Sequence, residues 1–260
     1  MITEKKLKKN DTFVFISTLN TFCELNVKIK NNFENLLSID QQKKQLLSNT
    51  LAFSENKLYH HALLWGEKGM GKSSLIRGIH TYCNQKLGLD LKLLEIFNSD
   101  IKYLPEIIYK INKFQYKCII FLDDITFNSS SLDFKVFKTI VDGSSLSNCN
   151  KVIFYTTSNI RNLVKPLKNS EYNDLEIKDH RNNFLALKDR FGLSLGFYKC
   201  NKIQYLKIIN NYFKHSKIEY DQNIINQMAM AWSIEKGGFS GRIAYQFFVD
   251  FLIKNKIQID

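Results

Sequence analysis

The chain has few residues that break or staple structure. Its 260 residues include two prolines, Pro105 and Pro166, which excludes collagen-like, polyproline and proline-rich linker organisations. The five cysteines, Cys23, Cys83, Cys118, Cys149 and Cys200, form no CxxC pair and fall at irregular spacing. That leaves neither a disulfide framework nor a zinc site, and it fits a reducing, cytoplasmic setting. No apolar run is long enough to span a bilayer, so no membrane partner is expected. Lys5, Lys6, Lys8 and Lys9 precede the fairly apolar stretch 13–25. Asp11 stands just before that stretch, Asn20 and Glu24 interrupt it, and a small-residue cleavage pattern is missing, which argues against a signal peptide.

Arginine is scarce too. Only five of the 37 basic residues are arginine, against a net charge of +12. The basic excess is spread along the chain instead of gathered in a strip, so it is weak support for a nucleic-acid partner and reads first as a solvated lysine surface. Where lysine serves wherever any cation will do, an arginine marks a place where its planar fork matters. The five are Arg77, Arg161, Arg181, Arg190 and Arg242.

What is present is a 44% apolar sequence, enough for one α/β core and a small second domain. Ile39–Phe53 reads as a helix leading into a short strand, Ala62–Trp65. Lys72–Leu87 is then a helix, Leu91–Phe97 a strand, Ile101–Phe114 a helix and Cys118–Leu122 a fully apolar strand. Leu132–Val141 follows as a helix, Lys151–Thr157 as a strand and Leu193–Tyr198 as another. Strands alternating with helices predict a parallel sheet covered on both faces, a three-layer α/β sandwich. The strand signal stops near Lys202, and helices at about 202–214, 222–235 and 240–255 predict a helical domain. The organisation expected is an N-terminal extension over 1–31, which suggests no element, a core over 32–200 and a helical lid over 201–260. The polar stretch 167–183 reads as an exposed excursion.

Residues 66–73 read GEKGMGKS and meet the pattern GxxxxGK[ST] through Gly66, Gly71, Lys72 and Ser73. Glycines let the backbone wrap close enough for its N–H groups to point at phosphate oxygens, and the helix N-terminus adds a favourable dipole. The cradle is Gly66, Glu67, Lys68, Gly69, Met70, Gly71, Lys72, Ser73 and Ser74. Lys72 is expected to reach the β and γ phosphates, and Ser73 to ligate Mg2+. The strand IIFL ends in Asp123 and Asp124. Asp123 is placed to hold the metal ion and Asp124 to take a proton from an attacking water. The next strand ends before Asn159, whose carboxamide could orient that water, because ligands of a parallel sheet lie beyond the strands' C-terminal ends. Arg190, in the string DRFG, suits an arginine finger reaching a neighbouring subunit. Arg242, opening the last helix after a glycine-rich turn, suits a lid contact to phosphate. The bland readings are a surface ion pair for Arg190 and a packed helix-terminal arginine for Arg242.

Together these residues resemble the AAA+ ATPases from about Asn32 to Phe248. More closely, the strings LLWGEKGMGKSSL, FLDDITF, YTTSNIRNL, LKDRFGLSL and GFSGRIAYQF are similar to a bacterial AAA+ family known as a domain of unknown function. The resemblance labels these strings Walker A, Walker B, sensor 1, arginine finger and sensor 2. It implies ATP and Mg2+ as ligands, a 5-1-4-3-2 sheet, a helical lid, homo-oligomeric assembly, and Leu37 and Ile39 as the segment packing on adenine. Asp124 departs from the wider superfamily, where Glu is usual, and is a methylene shorter. A GTPase would show [NT]KxD after the Walker B strand, and a P-loop kinase an arginine-rich lid; neither pattern is present. The expected activity is ATP hydrolysis coupled to remodelling of a protein client. The alternative is an ATP-gated DNA-binding or helicase-loader-like module, for which no nucleic-acid motif is visible.

Overall fold

The computed structural model describes residues 3–25, 33–127, 131–142, 150–159, 189–216 and 218–257. Its centre is a seven-stranded sheet. The strands are β1 (Thr12–Ile16), β2 (Thr21–Glu24), β3 (Ala62–Gly66), β4 (Leu91–Ile96), β5 (Lys117–Leu122), β6 (Val152–Ser158) and β7 (Leu193–Phe197). They lie in the order β2-β1-β4-β5-β6-β3-β7. Every pairing is parallel except β1 with β2. Counted from β3, the strand entering the glycine-rich turn, the five consecutive parallel strands from β7 to β4 run 5-1-4-3-2.

Residues on successive positions of a strand face opposite sides, and here both sides are apolar. On β5, Cys118, Ile120 and Leu122 join one core cluster while Ile119 and Phe121 join the other. On β6, Val152 and Phe154 divide from Ile153 and Tyr155 in the same way. The first face is covered by α4 (Leu104–Ile111) and α5 (Leu132–Val141), together with Leu7 of α1 (Glu4–Lys9). The second is covered by α2 (Asp40–Ser54) and α3 (Lys72–Leu87). The helical lid, α6 (Lys202–His215), α7 (Gln222–Glu235) and α8 (Gly241–Lys254), continues that second cluster through Tyr205, Phe213, Phe247 and Phe248. The helical region therefore shares a core with the body, and its own helices pack through Phe213 against Phe247, Phe248 and Phe251.

Two features differ from the sequence expectation. The helix expected over Ile101–Phe114 is a 3-10 turn over Asn98–Tyr103 followed by α4. Pro105 lies in the first turn of α4, where a missing N–H costs nothing, whereas it could not sit inside a longer helix. Residues 12–24, for which no element was expected, form a hairpin that adds two strands to the sheet beside β4. Its signal is short: TFVFI and TFCE joined by a turn that ends on Asn20 in the left-handed region, φ 44°. Phe13, Phe15 and Phe22 are buried in the first core, so the hairpin is part of the body. The excursion 167–183 and the residues Arg161 and Arg181 lie outside the described residues.

Two histidines are structural. His61, just before β3, accepts a hydrogen bond on Nδ1 from the Phe154 amide at 3.2 Å. Burial, helped by the neighbouring His60, holds its pKa down to about 4. Burial also lowers His80, whose Nε2 meets the Leu91 carbonyl at 2.9 Å. An unfolded chain binds more protons than the folded one between the lowered value and the ordinary 6.5, so stability rises with pH across that window. We expect His61 to account for a loss of about 1–2 kcal/mol between pH 7 and pH 5. In urea unfolding across that range, His61→Asn, which retains an acceptor near the Nδ1 position, should flatten the dependence. An unchanged slope would contradict a neutral His61.

Candidate nucleotide site

Three strand ends meet at one edge of the sheet. Trp65 of β3 pairs with Ser158 of β6, and Leu122 of β5 with Thr156 of β6. The next residues of each strand are thus Gly66, Asp123 and Asn159, and the parallel register brings them together from positions far apart in sequence.

The loop after β3 needs its glycines for stated reasons. Gly66 has φ 120°, and a Cβ there would lie 2.1 Å from the Phe197 carbonyl oxygen. Gly71 caps α3 in the left-handed region, φ 89°. The first amides of a helix have no partner within it. Leu75, bonding back to the Gly71 carbonyl at 2.8 Å, closes the first turn of α3. The amides before it are the donors the sequence predicted for phosphate. Lys72 is 7% exposed, and its Nζ donates to the carbonyls of Gly66 and Glu67, both at 2.8 Å, and to Asn159 Oδ1 at 3.2 Å. Burial holds this ammonium below its ordinary pKa. The carboxylates of Asp124, Asp123 and Glu67 oppose that effect, and Arg242 adds to it. An ammonium so placed gains from an incoming polyanion, which restores the charged partner that burial denies it.

The acidic side is held by two hydroxyls. Thr157 Oγ1 donates to Asp123 Oδ1 at 2.5 Å and accepts from the Asp124 amide at 2.8 Å. Ser73 Oγ donates to the same Asp123 oxygen at 2.6 Å. Asp124 is in the left-handed region, φ 52°, a conformation Asp tolerates better than most residues. Asn159 Nδ2 donates to Asp124 Oδ1, so Lys72, Asn159 and Asp124 form a continuous chain. The Ser73 hydroxyl and Asp123 carboxylate are hard oxygen donors beside a phosphate cradle. Mg2+ uses that donor set when it is shared with substrate phosphates and water, so the residues fit the ion. Among the described residues no cluster of three or more His, Cys, Asp or Glu side chains could hold a metal.

The lid touches this site directly. The Arg242 amide donates to the Gly69 carbonyl at 3.1 Å, and a Cβ on Gly69 would lie 2.9 Å from Arg242 Cβ and 3.1 Å from Ser240 Oγ. Glu67 and Lys68 are exposed, Met70 is buried, and Ser74 is half-buried on α3. Ile39 is buried beside Gly71, and Leu36 lies next to it there. Their methyls lie 3.8 and 3.7 Å from where a Gly71 Cβ would be, while Leu37 packs elsewhere in the same cluster.

Arg190 is not brought to this site. Leu193 pairs with Ala62 and Phe197 with Gly66, so β7 and β3 start at the same edge and Arg190 precedes it. The phosphate loop leaves the opposite edge, five residues of strand or ~17 Å away. Arg190 instead pairs with Asp142 at 2.8 Å.

The family model described as a protein of unknown function, DUF815, matches residues 9–255. The chain belongs to this family. No curated protein matches it. Among solved structures, Aeropyrum pernix ORC1 in complex with DNA is 14% identical with a TM-score of 0.56, covering 88% of this chain and 66% of that one. A DNA replication initiation factor is 15% identical with a TM-score of 0.54, at 90% and 67% coverage. The Thermotoga maritima RuvB Holliday junction branch migration motor is 16% identical with a TM-score of 0.52, at 85% and 65%. The chain thus spans about two-thirds of the length of these structures. At such identities the likeness shows the fold, and the fold is that of the P-loop AAA+ ATPases.

Thr157, Glu95 and Arg77 were not assigned to the site from sequence. A hydroxyl residue ending the strand next to the acid-bearing one is the only trace Thr157 leaves. Replacing it by the near-isosteric valine removes both bonds it makes. We expect Thr157→Val to lower phosphate release roughly 10- to 100-fold, as loss of an outer-shell partner does, while affinity for a fluorescent ATP analogue stays within about threefold. Unchanged turnover would show that Asp123 and Asp124 do not depend on it.

Proposed function

We propose that the chain is an Mg2+-dependent ATPase whose hydrolysis cycle moves the lid against the core and so remodels a protein partner. The observation that carries this reading is the hydrogen-bonded chain from Lys72 through Asn159 to Asp124, set beside the Ser73, Thr157 and Asp123 cluster. It supplies each role that phosphoryl transfer to water needs. Loop amides and Lys72 receive the β and γ phosphates. Ser73 and Asp123 hold Mg2+, which neutralises phosphate charge when bound. Asn159 orients a water in line with the γ-phosphorus. As the new P–O bond forms and the bridging P–O bond breaks, the water's proton passes to Asp124 and ADP departs. Leu36 and Ile39, more than Leu37, provide the apolar wall for adenine.

Arg242 enters from the lid, and its backbone bond to Gly69 couples lid position to the phosphate loop. Arg190 cannot serve its own chain's phosphates, which supports a role toward a second copy, after release from Asp142. A DNA-linked role is the second reading. Aeropyrum pernix ORC1, solved in complex with DNA, and the RuvB Holliday junction branch migration motor share the fold, and the net charge is +12. Stimulation of turnover by DNA with a steep salt dependence separates it from the protein-remodelling reading.

Lys72→Ala should abolish ATP binding, whereas Asp124→Asn should bind ATP within about threefold of the parent and lose turnover by 100-fold or more, on the order of a general-base deletion. Calorimetric titration with ATP and steady-state phosphate release read the two effects. Equal loss of binding in both variants would remove the role given to Asp124. Mixing Arg190→Ala with Lys72→Ala chains should restore part of the activity if the arginine acts between copies, and no recovery at any ratio would count against it.

A further inference from the structure

Arg77 lies four residues after Ser73 on α3, and therefore on the same face of the helix. Its guanidinium makes a two-point contact with Glu95 of β4, Nε to Oε1 at 2.7 Å and a terminal nitrogen to Oε2 at 2.9 Å. It also lies over the Phe121 ring, 5.0 Å from the centroid. The ring and the fork together fix the plane of the group. The same Nη2 that donates to Glu95 Oε2 stands 3.7 Å from Asp123 Oδ2. The other oxygen of Asp123 is already taken by Ser73 and Thr157. Both oxygens of the carboxylate thus have an assigned neighbour, and the neighbour of the second is a cation.

We infer that Arg77 and Glu95 form a balanced charge pair that positions Asp123 and sets how tightly the site holds a divalent cation. The inference rests on the ATPase reading, since it concerns the metal of that site. A lone guanidinium here would compete with a metal ion for the carboxylate. Glu95, whose side chain is 15% exposed, offsets that charge while leaving the geometry intact. Arg77 is a positioning residue, and it acts through Asp123. The two members of the pair then have opposite effects when removed one at a time, which a pair serving only to fasten α3 to β4 would not produce.

The test uses the full chain with ADP present and Mn2+ as the probe, free Mn2+ being read by electron paramagnetic resonance. Glu95→Gln leaves Arg77 unbalanced and should weaken Mn2+ binding about three- to tenfold, the scale of a partly screened charge at this distance. Arg77→Gln leaves Glu95 as an extra carboxylate and should tighten binding by a similar factor. The double variant should return to within about twofold of the parent. It also keeps the test decisive if Arg77→Gln fails to fold, because the comparison of Glu95→Gln with the double variant carries the same sign. Constants within twofold throughout, or shifts in one direction only, overturn the inference. If the parent hydrolyses ATP while these constants do not move, only this inference falls. If the parent binds neither Mn2+ nor ADP, the ATPase reading falls with it.

Discussion

The parallel register of β3, β6 and β5 is the constraint on which the site depends. Trp65 opposite Ser158 and Thr156 opposite Leu122 mean that the three strands end within two residues of one another along the sheet. Each then delivers one kind of chemistry: the glycine loop with Lys72, the two aspartates, and Thr157 with Asn159. A slip of one residue in any pair would turn the side chains to the other face. It would also separate Thr157 from Asp123 and Asp124. The apolar pattern on both faces of β5 and β6 makes such a slip costly, so the same burial that builds the core aligns the site.

The site is also polarised across the sheet. Lys72 and the loop amides gather on one side, Asp123 and Asp124 on the other, and the hydroxyls of Ser73 and Thr157 and the carboxamide of Asn159 join them. Burial lowers the affinity of Lys72 for its proton while the carboxylates raise it. A bound polyanion tips that balance toward the charged ammonium. The lid reaches this arrangement through the shared second core and through the backbone contact of Arg242 on Gly69. The last helix and the glycine-rich loop are therefore in direct contact.

The direction of the parallel strands separates Arg190 from the phosphate loop. Strand direction sets Arg190 and the phosphate loop at opposite ends of adjacent strands, which no side-chain rotation can change. The finger-like arginine and the cradle were both legible as strings, DRFG and GEKGMGKS, but their separation is a property of the sheet. Likewise the order of the central strands came from resemblance, and neither their spacing nor their periodicity contains it. The hairpin at 12–24 left too short a trace to be read, because four or five apolar residues without a long alternation are compatible with several structures.

By itself the sequence determined the phosphate loop, the acid-bearing strand, the alternation of strands with helices and the helical end of the chain. These are local: glycine spacing, apolar runs and helical periodicity act between residues close along the backbone. The tertiary structure alone decided that Thr157 holds both aspartates, that Leu36 stands with Ile39 at Gly71, and that Arg77 joins Glu95 to Asp123. It also decided that Arg190 faces away from its own cradle. Each depends on which strands lie side by side and in what register, and register is set by burial summed over the whole sheet, which no single segment encodes.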